Sequence, residues 1–186
     1  MAITSRLRAF YLSYLSTPAS DHPIYRAICR HQVRRILELG IGTAQRAVRM
    51  IQLAGLFRPL PQIEFSGMDL FESRSAADGP GMSLKMAHRL LGRTGARVQL
   101  IPGDPYTGLA RSANRLHPFD LLVISARLEP QSLARAWFYL PQLLHDRTQV
   151  FQQRLLPGGG TCSRPVAAGE IRTLAAASTS SVTRSR

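Results

Sequence analysis

A glycine turn between a predicted strand and a predicted helix is the part of this sequence best suited to bind a ligand. Val33 to Leu39 is mostly apolar, and Gly40 and Gly42 follow it before a run with helical spacing that starts at Ala44. Glycines at such a turn permit positive φ and let a ligand approach the backbone, and the start of the helix offers unpaired N–H groups. Because Glu38 places a carboxylate at the end of the strand, the turn suits a cationic or hydroxyl-rich ligand and would repel a pyrophosphate.

Two other interpretations of the glycine turn stay open. A dinucleotide-binding fingerprint has a third glycine three residues after the second, but this position is Gln45, so a nucleotide-binding oxidoreductase is the weaker hypothesis. A tight turn with no ligand is the purely structural alternative. It leaves the carboxylate of Glu38 on a buried strand, which is costly unless the carboxylate meets a partner.

Four strand-and-helix steps position this turn. Short apolar or β-branched runs alternate with segments of helical spacing, which predicts an α/β, doubly wound, mostly parallel sheet. The predicted strands are Val33 to Leu39, Gln62 to Met68, Arg97 to Ile101 and Phe119 to Ser125. The predicted helices are Ala44 to Ala54, Leu84 to Leu91, Thr107 to Leu116 and Ser132 to Leu140, with a further helical stretch from Pro141 to about Leu156.

Length and composition indicate one globular domain with a basic surface. The chain has 186 residues, of which 45% are hydrophobic and 19% charged, so it can bury a core. The net charge of +13 suggests an acidic partner. However, the arginines are scattered from Arg6 to Arg186 instead of forming one run, which favours a compositional bias over a nucleic-acid face. Nucleic acid is therefore an open partner but not the favoured one.

The cysteines and the apolar runs bear on the compartment. Cys29 and Cys162 lack CxxC spacing, so neither a zinc site nor a disulfide framework is predicted, and a reducing cytoplasm is the expected location. No apolar run reaches the ~18 residues of a membrane span, so no membrane association is expected. The N-terminal residues 1–22 are predicted to form an amphipathic helix that packs on the domain. Its stripe comprises Ile3, Leu7, Phe10, Tyr14 and Leu15.

Several motifs together resemble the class I S-adenosylmethionine-dependent methyltransferase family. Glu38 to Thr43 is similar to the first motif of that family, and Asp69 stands where its acidic residue ends the second strand. Gly103 and Asp104 resemble the turn after its third strand, and Phe119 to Ser125 resembles its fourth strand. The resemblance implies the methyltransferase type of sheet, with S-adenosylmethionine as the cofactor, methyl transfer as the activity and no need for a metal.

The resemblance also implies roles for the site residues. Glu38, Gly40 and Gly42 would lie on the amino-acid and sulfonium side of the cofactor, and Asp69 would bind the ribose. Gly103 with Asp104 would lie near the adenine, and Ser125 would lie where substrate and methyl group meet. The catalytic residue and the methyl acceptor stay unknown, because Ser125 to Arg127 carries none of the family's substrate-specific motifs.

Two departures from the family pattern affect these expectations. The family commonly has glycine where Ala44 stands, which is expected to be a mild change because alanine starts a helix well. The family adds three strands after the fourth, in the order 3-2-1-4-5-7-6, with a turn similar to Leu155 to Gly159 before strand five. Here residues 157–186 are rich in Gly, Ser, Thr and Ala, which predicts a mostly unstructured tail after a 23–156 domain, with missing or degenerate C-terminal strands.

The predicted truncation has two consequences. The fourth strand would be left as an exposed edge, open to self-association. The chain could also be a catalytically degenerate, basic binding protein on a methyltransferase scaffold, which is the alternative to an active enzyme.

Overall fold

One six-stranded sheet with helices on both faces organises residues 3–183, the part of the chain that the computed structural model describes. The strands are β1 (Arg35–Leu39), β2 (Glu64–Asp69), β3 (Arg97–Pro102), β4 (Phe119–Ile124), β5 (Leu144–Leu155) and β6 (Thr161–Pro165). The helices are α1 (Ile3–Tyr14), α2 (His22–His31), α3 (Gln45–Ala54), α4 (Leu84–Gly92), α5 (Pro105–Ser112), α6 (Pro130–Ala136) and α7 (Ala168–Thr183).

The strand order is β3-β2-β1-β4-β5-β6. The first five strands are parallel, and β6 is antiparallel to β5. The predicted doubly wound, mostly parallel α/β fold is therefore confirmed. Because the connections reverse direction between β1 and β4, the carboxyl ends of the central strands border a crevice, which is where such sheets bind ligands.

The central strand β1 is buried on both faces, as a continuous apolar run predicts. Ile36 packs among residues of α2 and α3 on one face, while Leu37 and Leu39 belong to a second core with α5 and α6 on the other. Packing in these two cores fixes the position of β1 along the strand direction. They also fix where its carboxyl end, and with it the glycine turn, emerges.

The packing face of α1 differs from the prediction. Side chains of the predicted stripe are more than half exposed, whereas Leu12 is only 5% exposed. The small side chains of Ala9 and Ser13 lie on the same side as Leu12 and let α1 approach the domain closely, which explains the choice of face. The stripe residues that face solvent are Leu7, Phe10, Tyr14 and Leu15; the side chain of Ile3 lies outside the described part.

The segment after Pro141 is a strand, so the predicted helix up to Leu156 is wrong. Val150 and Phe151 are neighbours in β5 and are buried in opposite cores, which is the two-residue alternation of a strand. Since β5 pairs with β4, and β1 pairs with β4 on its other side, β4 is not an edge. The predicted self-association through an exposed β4 thus loses its basis.

The tail is also structured, so the prediction of a mostly unstructured 157–186 is wrong. The Leu155 to Gly159 turn lies after β5 instead of before it and leads into β6, and α7 then packs against α6. Alanine is the best helix former, and Ile171 anchors α7 in the second core, so few large apolar side chains are needed. The sheet still has one strand fewer than the seven of the family it resembles.

No helix within residues 3–183 combines the length and the apolar character that crossing a bilayer would require.

Candidate functional site

The glycine turn joins the ends of β1 and β4. Gly40 has φ +83°, and a Cβ there would lie 2.8 Å from the Cβ of Ser125, so a larger residue would clash. The N–H of Ser125 donates to the carbonyl oxygen of Leu39 at 2.9 Å, which keeps the two strand ends together. Gly40 and Ser125, which the sequence placed in one site, are therefore neighbours.

Ala44 lies in the turn and not in the helix. It has φ +56° in the left-handed region, and α3 begins only at Gln45. A non-glycine residue there costs roughly 1–2 kcal/mol, because its Cβ crowds the following carbonyl oxygen. The expectation that alanine is a mild change at this position is therefore wrong.

Asp69, at the end of β2, accepts four hydrogen bonds. Two come from the N–H groups of Gly42 at 2.8 Å and Phe71 at 3.1 Å. The other two come from the guanidinium of Arg74, with Nε 2.6 Å from Oδ1 and Nη2 2.7 Å from Oδ2. Burial alone would raise the pKa of Asp69, but these donors hold it below its usual value. The carboxylate is thus ionised and ties β2 to the glycine turn.

Gly103 and Asp104 follow β3 at the same edge of the sheet. The N–H of Gly103 donates to the carbonyl oxygen of Asp69 at 2.8 Å. The carboxylate of Asp104 caps α5 by accepting from the N–H groups of Tyr106 at 3.0 Å and Thr107 at 3.2 Å, and it also bonds the hydroxyl of Ser132. The side chain of Asp104 therefore shapes the turn, and Gly103 and Asp104 both line the crevice.

Glu38 enters a buried network away from this crevice. Its Oε1 accepts from Arg46, with Nε at 2.8 Å and Nη2 at 2.7 Å, while its Oε2 has no hydrogen-bond partner within the described residues. Nη1 of Arg46 lies 3.5 Å from Oδ1 of Asp21, so one guanidinium serves two buried carboxylates. Burial raises the pKa of Glu38 to about 7, and Arg46 counters this only in part.

The crevice between these residues is narrow. It has a volume of about 30 Å³ and is lined by Gly40, Asp69 and Gly103 together with Arg74, Arg127 and Leu128, whose long side chains occupy the space. Pockets that hold small ligands usually measure about 300–1,000 Å³. A ligand of cofactor size would have to displace these side chains.

Sequence reasoning missed the basic partners of the site. Arg74 lies five residues after Asp69 in a loop, and no spacing rule connects the two positions. Arg46 had a weak signal, since a buried Glu38 was expected to need a partner and the first turn of the following helix is within reach. Within residues 3–183, no group of three or more His, Cys, Asp or Glu side chains is placed to hold a metal ion.

Comparison with solved structures identifies the fold. An O-methyltransferase from Bacillus cereus in complex with SAH matches 82% of this chain with a TM-score of 0.55 and 15% identity, covering 67% of its own length. Cofactor-bound Rv0187 from MTB matches 82% with a TM-score of 0.52 and 18% identity. The chain has the class I methyltransferase fold. A TehB-like SAM-dependent methyltransferase from Corynebacterium glutamicum shares this fold over 93% of the chain and 78% of its own, with a TM-score of 0.50 and 13% identity.

Sequence comparison adds nothing to this fold assignment, since no family model and no curated protein matches the chain. The chain spans 66% of the length of Rv0187, and 66% of a further methyltransferase-fold structure from Staphylococcus aureus. In this methyltransferase fold, the glycine turn and Asp69 occupy the carboxyl edge of the sheet, at its topological switch point.

Proposed function

We propose that this chain binds S-adenosylmethionine at the carboxyl ends of β1, β2 and β3 and transfers its methyl group to an acceptor. The observation that carries the proposal is the 2.8 Å hydrogen bond from the N–H of Gly42 to Asp69, which brings the glycine turn and the acidic strand end into one site. In the family that these motifs resemble, both positions contact the same cofactor.

Each part of the proposed cofactor would contact a different residue of the site. The backbone of Gly40, which lines the crevice, and of Gly42 would receive the amino-acid and sulfonium side. Asp69 would accept hydrogen bonds from the ribose hydroxyls, and the backbone of Gly103 would lie against the adenine. Glu38 is fully buried and does not line the crevice, so its role would be to hold Arg46 beneath the glycine turn and not to contact the ligand.

The chain's own contribution to the reaction would be to orient the acceptor relative to the methyl group. When bound, the sulfonium of S-adenosylmethionine supplies an already activated methyl group. Ser125 at the end of β4 lies beside Gly40, so an acceptor held above Ser125 would meet the methyl side of the cofactor. Orienting two reactants and excluding water can supply much of a rate enhancement without an acid or base. No general base is assigned.

The residues fit the ribose of this cofactor once Arg74 moves. Asp69 has four donors, which is about the number a carboxylate can accept, and two of them belong to Arg74. Arg74 is in a loop after β2, so a change of its side-chain conformation frees both oxygens without moving the sheet. The same movement would enlarge the crevice, because Arg74 lines it.

Calorimetry with purified chain tests the proposal. S-adenosylmethionine and its demethylated product are titrated beside reduced nicotinamide adenine dinucleotide, with Asp69→Ala as the site variant and Asp146→Ala as an exposed-carboxylate control. Losing charge-assisted bonds of about 1.5–3 kcal/mol should weaken the two sulfur ligands about ten- to a hundredfold in Asp69→Ala only. Binding of the dinucleotide without either sulfur ligand would overturn the proposal.

A further inference from the structure

Basic side chains that are scattered along the sequence gather at the amino edge of the sheet, opposite the candidate cofactor site. They come from the end of α2, the approach to β1, the segment after α3 and the start of β5, and they line one cleft of about 520 Å³. The side chains that define this amino-edge cleft are Arg30, His31, Arg34, Arg35, Arg58 and Arg147.

The carboxylates that contact the arginines of this cleft are already paired. Asp120 is the one carboxylate among the described residues that line it. Its Oδ2 accepts the N–H groups of Arg34 and Arg35, both at 2.8 Å, and its Oδ1 lies 3.0 Å from Nε2 of His145. Burial would raise the pKa of Asp120, but these contacts hold it below its usual value. Glu64 pairs with Arg34 and Arg35 at 3.1 and 2.8 Å, so five arginines face two carboxylates and positive charge is in excess.

Three of the basic side chains are free to bind a ligand. Arg30 and His31 on the α2 wall, and Arg147 on the β5 wall, are exposed and make no side-chain hydrogen bond or ion pair within the described part of the chain. Arg58 uses its Nε for the carbonyl oxygen of Gln32 at 3.3 Å and keeps its other donors. Cationic donors therefore face the cleft from two sides.

We propose that the amino-edge cleft binds the sugar–phosphate backbone of a nucleic acid, independently of base sequence. Exposed charges contribute only about 0–1 kcal/mol each, so a single phosphate would bind weakly here. A polyanion engages several of these charges at once and releases its condensed counterions, which makes the sum large. The described lining of the cleft itself has no large apolar side chain, which favours a phosphate backbone over a bilayer, although Phe10 and Tyr14 line a neighbouring groove with Arg30 and His31.

This binding site is separate from the proposed methyl-transfer site. The two edges are joined by β1, whose five residues span roughly 15 Å at about 3.3 Å per residue. A backbone held at Arg35 would thus lie away from Gly40 and Asp69. Binding of nucleic acid should accordingly be measurable without S-adenosylmethionine, and it does not depend on the proposed activity.

Fluorescence anisotropy with a labelled 20-base-pair DNA duplex of arbitrary sequence tests the proposal, with the salt concentration raised from about 50 to 200 mM. The site variant is Arg30→Gln, Arg58→Gln and Arg147→Gln together. The control removes the same charge from exposed arginines on α1, α4 and the end of β5, namely Arg6→Gln, Arg89→Gln and Arg154→Gln.

The site variant should lose about tenfold or more in affinity at about 100 mM salt, and its slope of log affinity against log salt should be smaller by about 2 to 3. The control should lose about threefold or less. Equal losses in both variants would show that net charge alone binds the duplex and would overturn the proposal. So would binding to phosphatidylserine vesicles without binding to DNA.

Basic residues at the end of α2 also complement the helix dipole, so the melting temperature of each variant is measured. If the triple variant is destabilised, Arg147→Gln alone keeps the test valid, because this exposed side chain makes no hydrogen bond or ion pair within the described residues. A loss of about two- to threefold is expected for it, and an unchanged affinity and salt slope would contradict the proposal.

Discussion

Arg74 holds Asp69 with two hydrogen bonds, from Nε to Oδ1 at 2.6 Å and from Nη2 to Oδ2 at 2.7 Å. Together with the N–H groups of Gly42 and Phe71, these two donors occupy the hydrogen-bond acceptor positions of the Asp69 carboxylate at the end of β2. The residue expected to bind a ribose is therefore occupied by a side chain of its own loop. Arg74 and the cofactor would compete for the same two oxygens.

Removing this competition should strengthen cofactor binding. Arg74→Met keeps much of the apolar stem but not the donors, so S-adenosylmethionine should bind about tenfold more tightly, as expected for losing a charged hydrogen bond of about 1.5 kcal/mol. Calorimetry measures the change, and Arg127→Met, which alters another side chain of the crevice, serves as the control. Weaker binding in Arg74→Met would show instead that Arg74 contacts the ligand.

The buried carboxylate of Glu38 should make stability depend on pH. Its pKa is raised from 4.5 to about 7 in the folded chain, so the folded state binds the proton more tightly than the unfolded state. The contribution of Glu38 to the free energy of unfolding should be fully present below pH 4.5 and fall by on the order of 3 kcal/mol as pH rises to about 7, whereas carboxylates with a lowered pKa such as Asp69 act in the opposite direction.

Urea unfolding at a series of pH values measures this dependence. Glu38→Gln cannot lose a proton, so the difference between the native chain and this variant should change over the interval from 4.5 to 7 and be constant above it. Parallel pH profiles for the two proteins would contradict the raised pKa.

Ala44 should tolerate glycine better than a buried alanine in a helix does. Ala44→Gly relieves the strain of φ +56°, roughly 1–2 kcal/mol, but removes a fully buried methyl group worth about 0.8 kcal/mol, so the free energy of unfolding should stay constant or rise by up to about 1 kcal/mol. Ala47→Gly is the matched control, because Ala47 is equally buried but lies inside α3, so the methyl group and the helix propensity are both lost at a cost of about 2 kcal/mol. Urea unfolding measures both variants, and equal losses of stability would contradict the strained turn.

The C-terminal helix should contribute to the core. Ile171 in α7 is 5% exposed, so Ile171→Ala should cost about 2–4 kcal/mol through lost burial and the cavity it leaves. Leu7→Ala on the exposed face of α1 should change stability by less than about 0.5 kcal/mol. Urea unfolding of both variants provides the measurement. Similar small losses would mean that α7 is not packed.

The central half of the fold follows from local patterns. All four strands from β1 to β4 lie within two residues of their predicted positions, because buried parallel strands are continuous apolar runs bounded by turn residues. The resemblance to the methyltransferase family, and not the strand pattern, placed Gly40, Asp69 and Gly103 in one site, and the three residues line one crevice. These features depend on residues close together in the chain.

In the C-terminal third of the chain, local sequence patterns do not predict the secondary structure correctly. The apolar residues of β5 are too few to distinguish a helix from a strand, and pairing with β4 decides in favour of the strand. In α7 the helix depends on alanine propensity and on the contact of Ile171 with the second core, neither of which a count of large apolar residues detects.

The sequence by itself thus determined the fold class, the glycine turn and the edge of the sheet that carries the candidate site. Tertiary structure alone decided the partners: Arg46 for Glu38, Arg74 for Asp69, and the convergence of Arg30, Arg58 and Arg147 on one cleft. The physical reason is that strand and turn formation depend on neighbouring residues, whereas the strength and direction of a charge interaction depend on distance and burial in the folded chain.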